Sequence, residues 1–233
     1  MTTPTFTGTL TVDLLESMAS DAIVARRARV STNGAAMPTA SKDTGLINML
    51  ARDRHGVPFE HCTFTFEVHA PIFVMRELMR TRMASFSEES GRYRQLEPVF
   101  YVPDADRKLV QTGKVGAYVF EKGTLVQQRM VHDVLTISTY NAYDEYVLML
   151  EAGIAREVAR MVLPLNIYST VHMTINARSL MNLLSLRVID PNSTFPSFPQ
   201  WEIEQVARQL EDFFAEKMPV THAAFVKNGR VSP

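Results

Sequence analysis

The sequence predicts an α+β fold, a single domain in which a mainly antiparallel sheet is flanked by helices, one of them long. Three observations carry that reading. Stretches with strand-like alternation are separated by helical blocks of unequal length, which does not suit a regular doubly wound sheet. One helical pattern, from about Gly123 to Glu151, far exceeds the others, and Gly153 is placed to end it. No internal repeat, low-complexity tract or long linker divides the 233 residues, and 46% of them are apolar, enough for a core without disulfides or metal staples.

In chain order, the alternation in FTGTLTVDL (6–14) predicts an opening strand, and SMASDAIVARRARVS (17–31) predicts a helix capped by Ser17 or Ser20. TGLINMLARDRHG (44–56) predicts a second helix that stops at Gly56. CTFTFEVHA (62–70) alternates strictly, with Phe64, Phe66 and Val68 on one face and Thr63, Thr65 and Glu67 on the other, as in a half-buried strand. Pro71 closes that strand and opens a short helix, PIFVMRELMRTR (71–82), with Arg76 and Arg80 one turn apart. A loop containing Pro98 and Pro103 leads to the long helix, after which AREVARMVL (155–163) reads as a helix stopped by Pro164. IYSTVHMTI (167–175) is a strand, NARSLMNLLSLR (176–187) an apolar helix capped by Asn176, and WEIEQVARQLEDFFAEKM (201–218) an amphipathic closing helix.

Composition narrows the function. A formal charge of −1 gives no electrostatic footprint for a polyanionic nucleic acid or an acidic membrane surface. Runs such as Met161–Leu165 and Leu180–Leu186 are too short to span a bilayer, and the first residues lack a basic start and an apolar targeting core, so the expected location is the cytoplasm. The single cysteine, Cys62, rules out an intrachain disulfide and a multi-cysteine zinc site.

Like charges at i,i+4 repel, so Arg76 and Arg80 on one helix want carboxylates or a bound anion, and Glu77 can neutralise one of them. Arg82 joins them if the helix ends near Thr81. The SFSEESGRY segment (85–93) offers serine hydroxyls, loop amides, arginine forks and the permissive Gly91, the parts of a phosphate cradle or equally of a solvated loop with ordinary ion pairs. Arg178, Asn182 and Ser185 form a polar stripe at i, i+4 and i+7 on an otherwise apolar helix, extended by Arg187, which serves either ligand contact or capping and core hydrogen bonding. His55, Glu60 and His61 sit near a turn without a zinc spacing, so no metal site is expected and a positioning or proton-handling role suits them better. Glycine-rich phosphate loops are absent, so any nucleotide must be held by arginines and loop amides.

At these clusters the sequence resembles the flavin-dependent thymidylate synthases. That family carries Arg-His-Arg, seven residues and a serine, usually continuing into Gly-Arg-Tyr, and Arg80-Thr81-Arg82 followed by Ser90-Gly91-Arg92-Tyr93 fits all but the histidine. ARVS (28–31), PFEH (58–61), APIFV (70–74), the blocks from Arg156 to Tyr168 and from Asn176 to Arg187, and QWEI (200–203) follow in family order.

The resemblance implies reductive methylation of dUMP to dTMP, with methylenetetrahydrofolate giving the carbon and NADPH-reduced FAD the hydride. It also implies a homotetramer whose flavin pockets draw on several subunits. Carried over by position, the dUMP set is Glu77, Arg80, Glu88, Ser90, Arg92, Arg160 and Arg187, and the FAD set is Ser31, His55, Glu60, Arg80, Arg82, Met83, Asn176, Arg178 and Asn182. Arg187 takes the electrostatic role beside the pyrimidine, His55 a positioning or gating role, and Ser90 a hydrogen-bonding role at the reacting centre. Thr81 departs from the family histidine, as do Ser87, Val57 and Glu77 from a common asparagine, threonine and glutamine. Glu77 is then expected to bond the ribose hydroxyl or to pair with Arg80.

Two other classes remain open. A cysteine-dependent methyltransferase would use Cys62, although the proline-cysteine-histidine surroundings it needs are absent. An RNA-binding module would use the arginines between Arg76 and Arg94, against the near-zero net charge.

Overall fold

A computed structural model describes residues 3–34, 43–114 and 117–233, which form two compact units interleaved along the chain. The first comprises Met1–Leu10, His69–Arg76 and Glu88–Val171, and the second Thr11–Val68, Glu77–Ser87 and His172–Pro233. Their secondary structure is α+β. The main sheet has four strands in the order β2 (Thr11–Met18), β3 (Thr63–Pro71), β8 (Tyr168–Asn176), β4 (Ala84–Glu88). Side-chain pairs across β3 and β8, Thr65 with Thr174 at 3.0 Å and Glu67 with His172 at 2.9 Å, step in opposite directions along the two strands and make this pairing antiparallel. The strict alternation of β3 is realised, with Phe64, Phe66 and Val68 wholly buried.

In the second unit, Phe64 stacks on Phe66 at 5.6 Å and meets the edge of Phe214 at 6.3 Å, so α8 (Trp201–Lys217) covers that face of the strand. The helices α1 (Asp21–Asn33), α2 (Asp43–Arg52), α7 (Ala177–Arg187) and α9 (Pro219–Lys227) complete this unit, with the short α3 (Val57–Glu60) beside α1 and α7. Local capping explains several of their starts. Ser20 accepts from the Ile23 amide at 3.3 Å, and Asn176 accepts from the Ser179 amide at 2.9 Å.

The first unit is built on α5 (Leu125–Glu151), the long helix expected from the sequence. It opens with a reciprocal capping box between Thr124 and Gln127 and is followed by Gly153 at φ 81°. Tyr143 and Tyr146 of α5 pack with Leu96, Phe100, Ala159 and Ile167 into a small core. The same unit holds a parallel pair, β1 (Thr5–Thr7) with β5 (Val99–Tyr101), and an antiparallel hairpin of β6 (Val110–Lys114) and β7 (Ala117–Glu121).

Several local expectations are corrected. The opening strand is two strands, interrupted where Gly8 lies so near the Asp104 carboxylate that a Cβ would stand 2.4 Å from it. The second helix ends at Arg52, short of Gly56, because Arg54 turns into the left-handed region at φ 62°. The helix after Pro71, α4, spans only Ile72–Leu78, so Arg80 leaves it and Arg76 and Arg80 do not stand one turn apart on that helix. The expected 155–163 helix is one turn, α6 (Arg156–Ala159), tightening into a 3-10 turn at Arg160–Val162. The SFSEESGRY segment begins as strand rather than loop, and α8 is not the closing helix, since Pro219 opens α9 at the position where a missing amide costs nothing. Among the described residues no helix is long and apolar enough to cross a membrane.

Candidate functional site

Three cavities of the second unit have Arg54 as a common wall residue. The first, of about 910 Å³, is lined by Glu77, Arg80, Asn182 and Arg187, together with Arg54, Arg230 and the loop Phe195–Gln200. Arg187, at the end of α7, is half-buried and ion-paired to Glu77 at 2.9 Å. The pairing of Glu77 is therefore with Arg187 rather than with Arg80, which has no acidic partner among the described residues and keeps its charge available. One carboxylate thus leaves an excess of guanidinium charge on this wall, the arrangement that attracts a phosphate.

A second cavity, of about 950 Å³, brings together Ser31, His55 and Arg178 and has an apolar side made by Leu46, Met49, Leu50, Val57 and Pro58. A third, of about 270 Å³, is lined by Glu60, Arg82, Met83, Asn176, Arg178 and Asn182. An apolar wall with a cationic rim suits a planar ring system that carries phosphates. The polar stripe of α7 lies on these walls. Arg178 and Asn182 are exposed rather than sealed in a core, while Leu180, Met181, Leu183 and Leu184 bury the opposite side. Arg178 is held by an ion pair to Glu60 and by donating from Nε to the Pro233 carbonyl. Its stem crosses the start of α3 so closely that a Cβ on Gly56 would lie 2.5 Å from Nε.

The remaining expected residues, Glu88, Ser90, Arg92 and Arg160, belong to the first unit. There Ser90 opens a turn, its carbonyl accepting from the Tyr93 amide at 3.0 Å and its hydroxyl from the Arg92 amide at 3.3 Å. Gly91 lies against the stem of Arg160, and Arg92 reaches Glu157 at 3.3 Å. The Glu88 carboxylate accepts from the Ser169 hydroxyl at 2.7 Å. Arg160 has no acidic partner among the described residues.

Cys62 is wholly buried, its thiol directed to the Ser20 carbonyl at 3.8 Å, and burial pushes its pKa up, the reverse of what a nucleophile needs. Among the described residues no group of three or more His, Cys, Asp or Glu side chains is placed to hold a metal ion.

A family model described as thymidylate synthase complementing protein matches residues 13–220. A flavin-dependent thymidylate synthase of Tropheryma whipplei is 53% identical over 234 residues, covering 99% of this chain and 98% of that protein. The enzyme of that name from Streptomyces coelicolor is 54% identical over 230 residues, covering 96% and 94%. The chain belongs to the flavin-dependent thymidylate synthase family. Among solved structures, the UMP/dUMP methylase PolB of Streptomyces cacaoi, bound with 5-Br UMP, superposes with a TM-score of 0.94 at 47% identity, covering 99% of this chain and 100% of that one.

In this chain the family's signature segment divides into three parts. Arg80, Arg82 and Met83 line cavities, Ala84–Glu88 is strand β4, and Ser90 to Tyr93 form the turn of the first unit. The sequence reading missed Arg54, Phe195, Phe198, Arg230 and Ser232, all on the walls of the first cavity. The TFPSFP stretch (194–199) was the available sign for two of them, since proline-flanked aromatics in a loop have no core to enter. Nothing local distinguishes Arg54. The three non-glycine residues with positive φ among the described residues, Arg54, Met83 and Arg230, all line these cavities, where backbone strain commonly concentrates.

Proposed function

We propose that the chain works as a single domain over residues 1–233 that methylates dUMP reductively to dTMP, taking carbon from methylenetetrahydrofolate and hydride from FAD reduced by NADPH, without a cysteine nucleophile. The observation that carries the reading is the first cavity, where the free Arg80 and the Glu77-steered Arg187 share one wall next to the cavities of Arg82 and Arg178. FAD bound in those adjoining cavities would supply the hydride.

The protein's own groups do the rest. Arg187 meets the pyrimidine oxygen and N3 and stabilises negative charge as the ring becomes enolate-like; its pairing with Glu77 fixes the fork before the substrate arrives. Arg80, Ser90, Arg92 and Arg160 hold the phosphate and sugar, with Glu77 and Glu88 as further contacts. Ser31, His55, Glu60, Arg80, Arg82, Met83, Asn176, Arg178 and Asn182 hold the flavin, and His55 positions the folate or gates the flavin face. Asn176 keeps the structural duty of capping α7 as well.

Self-association as a homotetramer completes the proposal, because family pockets draw residues from several subunits. Supporting it, α5 exposes Val126, Met130, Val134 and Ile137 at helical spacing, each more than half exposed, an apolar stripe that favours burial against another chain.

The deciding experiment is the flavin spectrum of the purified protein with and without dUMP, together with tritium release from dUMP labelled at C5 in the presence of methylenetetrahydrofolate and NADPH. A yellow protein whose spectrum shifts with dUMP and which releases tritium is expected. A colourless protein that binds no added FAD and releases no tritium overturns the reading. UMP is the comparison substrate, since PolB is described as a UMP/dUMP methylase.

Two substitutions test its parts. Gly56→Ala places a methyl group against Arg178 and is expected to weaken FAD binding about tenfold, through the lost charge-assisted contact, in a fluorescence titration. Cys62→Ala should leave turnover unchanged while costing roughly 1 kcal/mol of stability, measured by denaturant unfolding; loss of turnover with the fold intact would revive a cysteine mechanism.

A further inference from the structure

Arg54 stands where a glycine would be cheaper. Helix α2 ends at Arg52, the Arg54 amide donates to the Ala51 carbonyl at 3.4 Å, and the His55 amide donates to the Leu50 carbonyl at 2.9 Å. This is a helix terminus whose last turn is closed by one left-handed residue, and that residue is Arg54 at φ 62°. Glycine takes such a position without a steric penalty, whereas a side chain there crowds the following carbonyl. The conformation gains nothing from arginine, so the reason for arginine lies in what its head can reach.

Arg54 is a wall residue of all three cavities. Arg54 lines the one with Glu77, Arg80 and Arg187, the one with Ser31, His55 and Arg178, and the one with Glu60, Arg82 and Asn182. Three nearby arginines are neutralised, Arg29 by Asp43 at 2.6 Å, Arg52 by Asp53 at 2.7 Å and Arg178 by Glu60, while Arg80 is not. Arg54 has no acidic partner among the described residues. A free guanidinium fork at the junction of an apolar-walled cavity and two polar ones is suited to two neighbouring phosphates.

We propose that Arg54 is a cofactor-binding residue that takes the diphosphate of the flavin dinucleotide. The assignment rests on the flavin reading above. It makes the strained backbone a device for aiming one guanidinium at the point where the three cavities meet.

The test compares wild type with Arg54→Gly and Arg54→Lys. Thermal unfolding of the apoprotein, FAD affinity at two ionic strengths and dUMP affinity at saturating FAD are measured for each. Arg54→Gly is expected to melt no lower than wild type, to bind FAD about tenfold or more weakly, as loss of a charged contact implies, and to show a shallower salt dependence. Arg54→Lys, which keeps the charge and loses the fork, falls between. dUMP affinity at saturating FAD is unaltered. Unchanged FAD affinity, a loss confined to dUMP, or a lowered melting temperature accompanying weaker binding would each overturn the assignment. Failure of the wild type itself to bind FAD would overturn the functional reading along with it, so the two failures are distinguishable.

Discussion

Arg187→Ala is expected to lower turnover about a hundredfold to a thousandfold while leaving the protein folded and loaded with flavin. Two effects add. The cation assigned to the developing charge on the pyrimidine is lost, and Glu77, which Arg187 neutralises at 2.9 Å, is left as an unpaired carboxylate on the same cavity wall. That unpaired charge repels a phosphate-bearing substrate, so the KM for dUMP should rise as well. Arg187→Lys restores charge without the planar fork and should recover only part of the rate. Glu77→Gln removes the steering contact but keeps Arg187, and should affect turnover less than Arg187→Ala. Steady-state kinetics with flavin content measured on the same samples decides the matter. An Arg187→Ala enzyme within about tenfold of wild type would remove Arg187 from the electrostatic role.

The largest loss of stability is expected from Arg230→Ala. Arg230 is buried and bonds Glu211 through both terminal nitrogens, at 2.7 and 2.9 Å, with Asp190 at 3.6 Å and the Phe225 ring 5.0 Å from Cζ. Removing one partner strands a largely buried carboxylate, a change that costs roughly 3–5 kcal/mol and lowers the melting temperature by about 10 °C in a chain of this size.

The acid limb supplies an internal control. Burial alone would raise the Glu211 carboxyl, but hydrogen bonds from His222 and Arg230 and the charge of Arg230 outweigh it and hold the pKa down at about 2, against an ordinary value of 4.5. A depressed carboxyl stabilises the fold fully above its unfolded pKa. That contribution is lost as pH falls from about 4.5 toward 2. The stability gap between wild type and Arg230→Ala should therefore narrow over that window, and a gap that stays constant in acid urea titrations would show that Glu211 does not carry it.

What could be read from the sequence was whatever is decided within a few residues. Asn176 and Ser20 satisfy helix-start amides three residues on, and both caps are formed. The alternation from Thr63 to Val68 survives because one face of that strand is wholly buried. Less was legible where a helix stops. Gly56 looked like the end of α2, yet it is the close-approach point for Arg178, and the stop is made by Arg54 in a conformation that arginine does not signal. The hairpin of β6 and β7 and the pairing of β1 with β5 were missed because short strands outside a buried face leave little periodic trace.

By itself the sequence determined the α+β class, the long helix, the residue types available for an anion and, through its ordered blocks, the family. These follow from periodicity, capping and motif order, which are properties of neighbouring residues. The tertiary structure alone decided that Glu77 pairs with Arg187 and leaves Arg80 free, that the α7 stripe faces cavities, and that Arg54 reaches three of them. The reason is that ion-pair choice and side-chain aim depend on the distances between elements far apart in sequence, which no local pattern encodes.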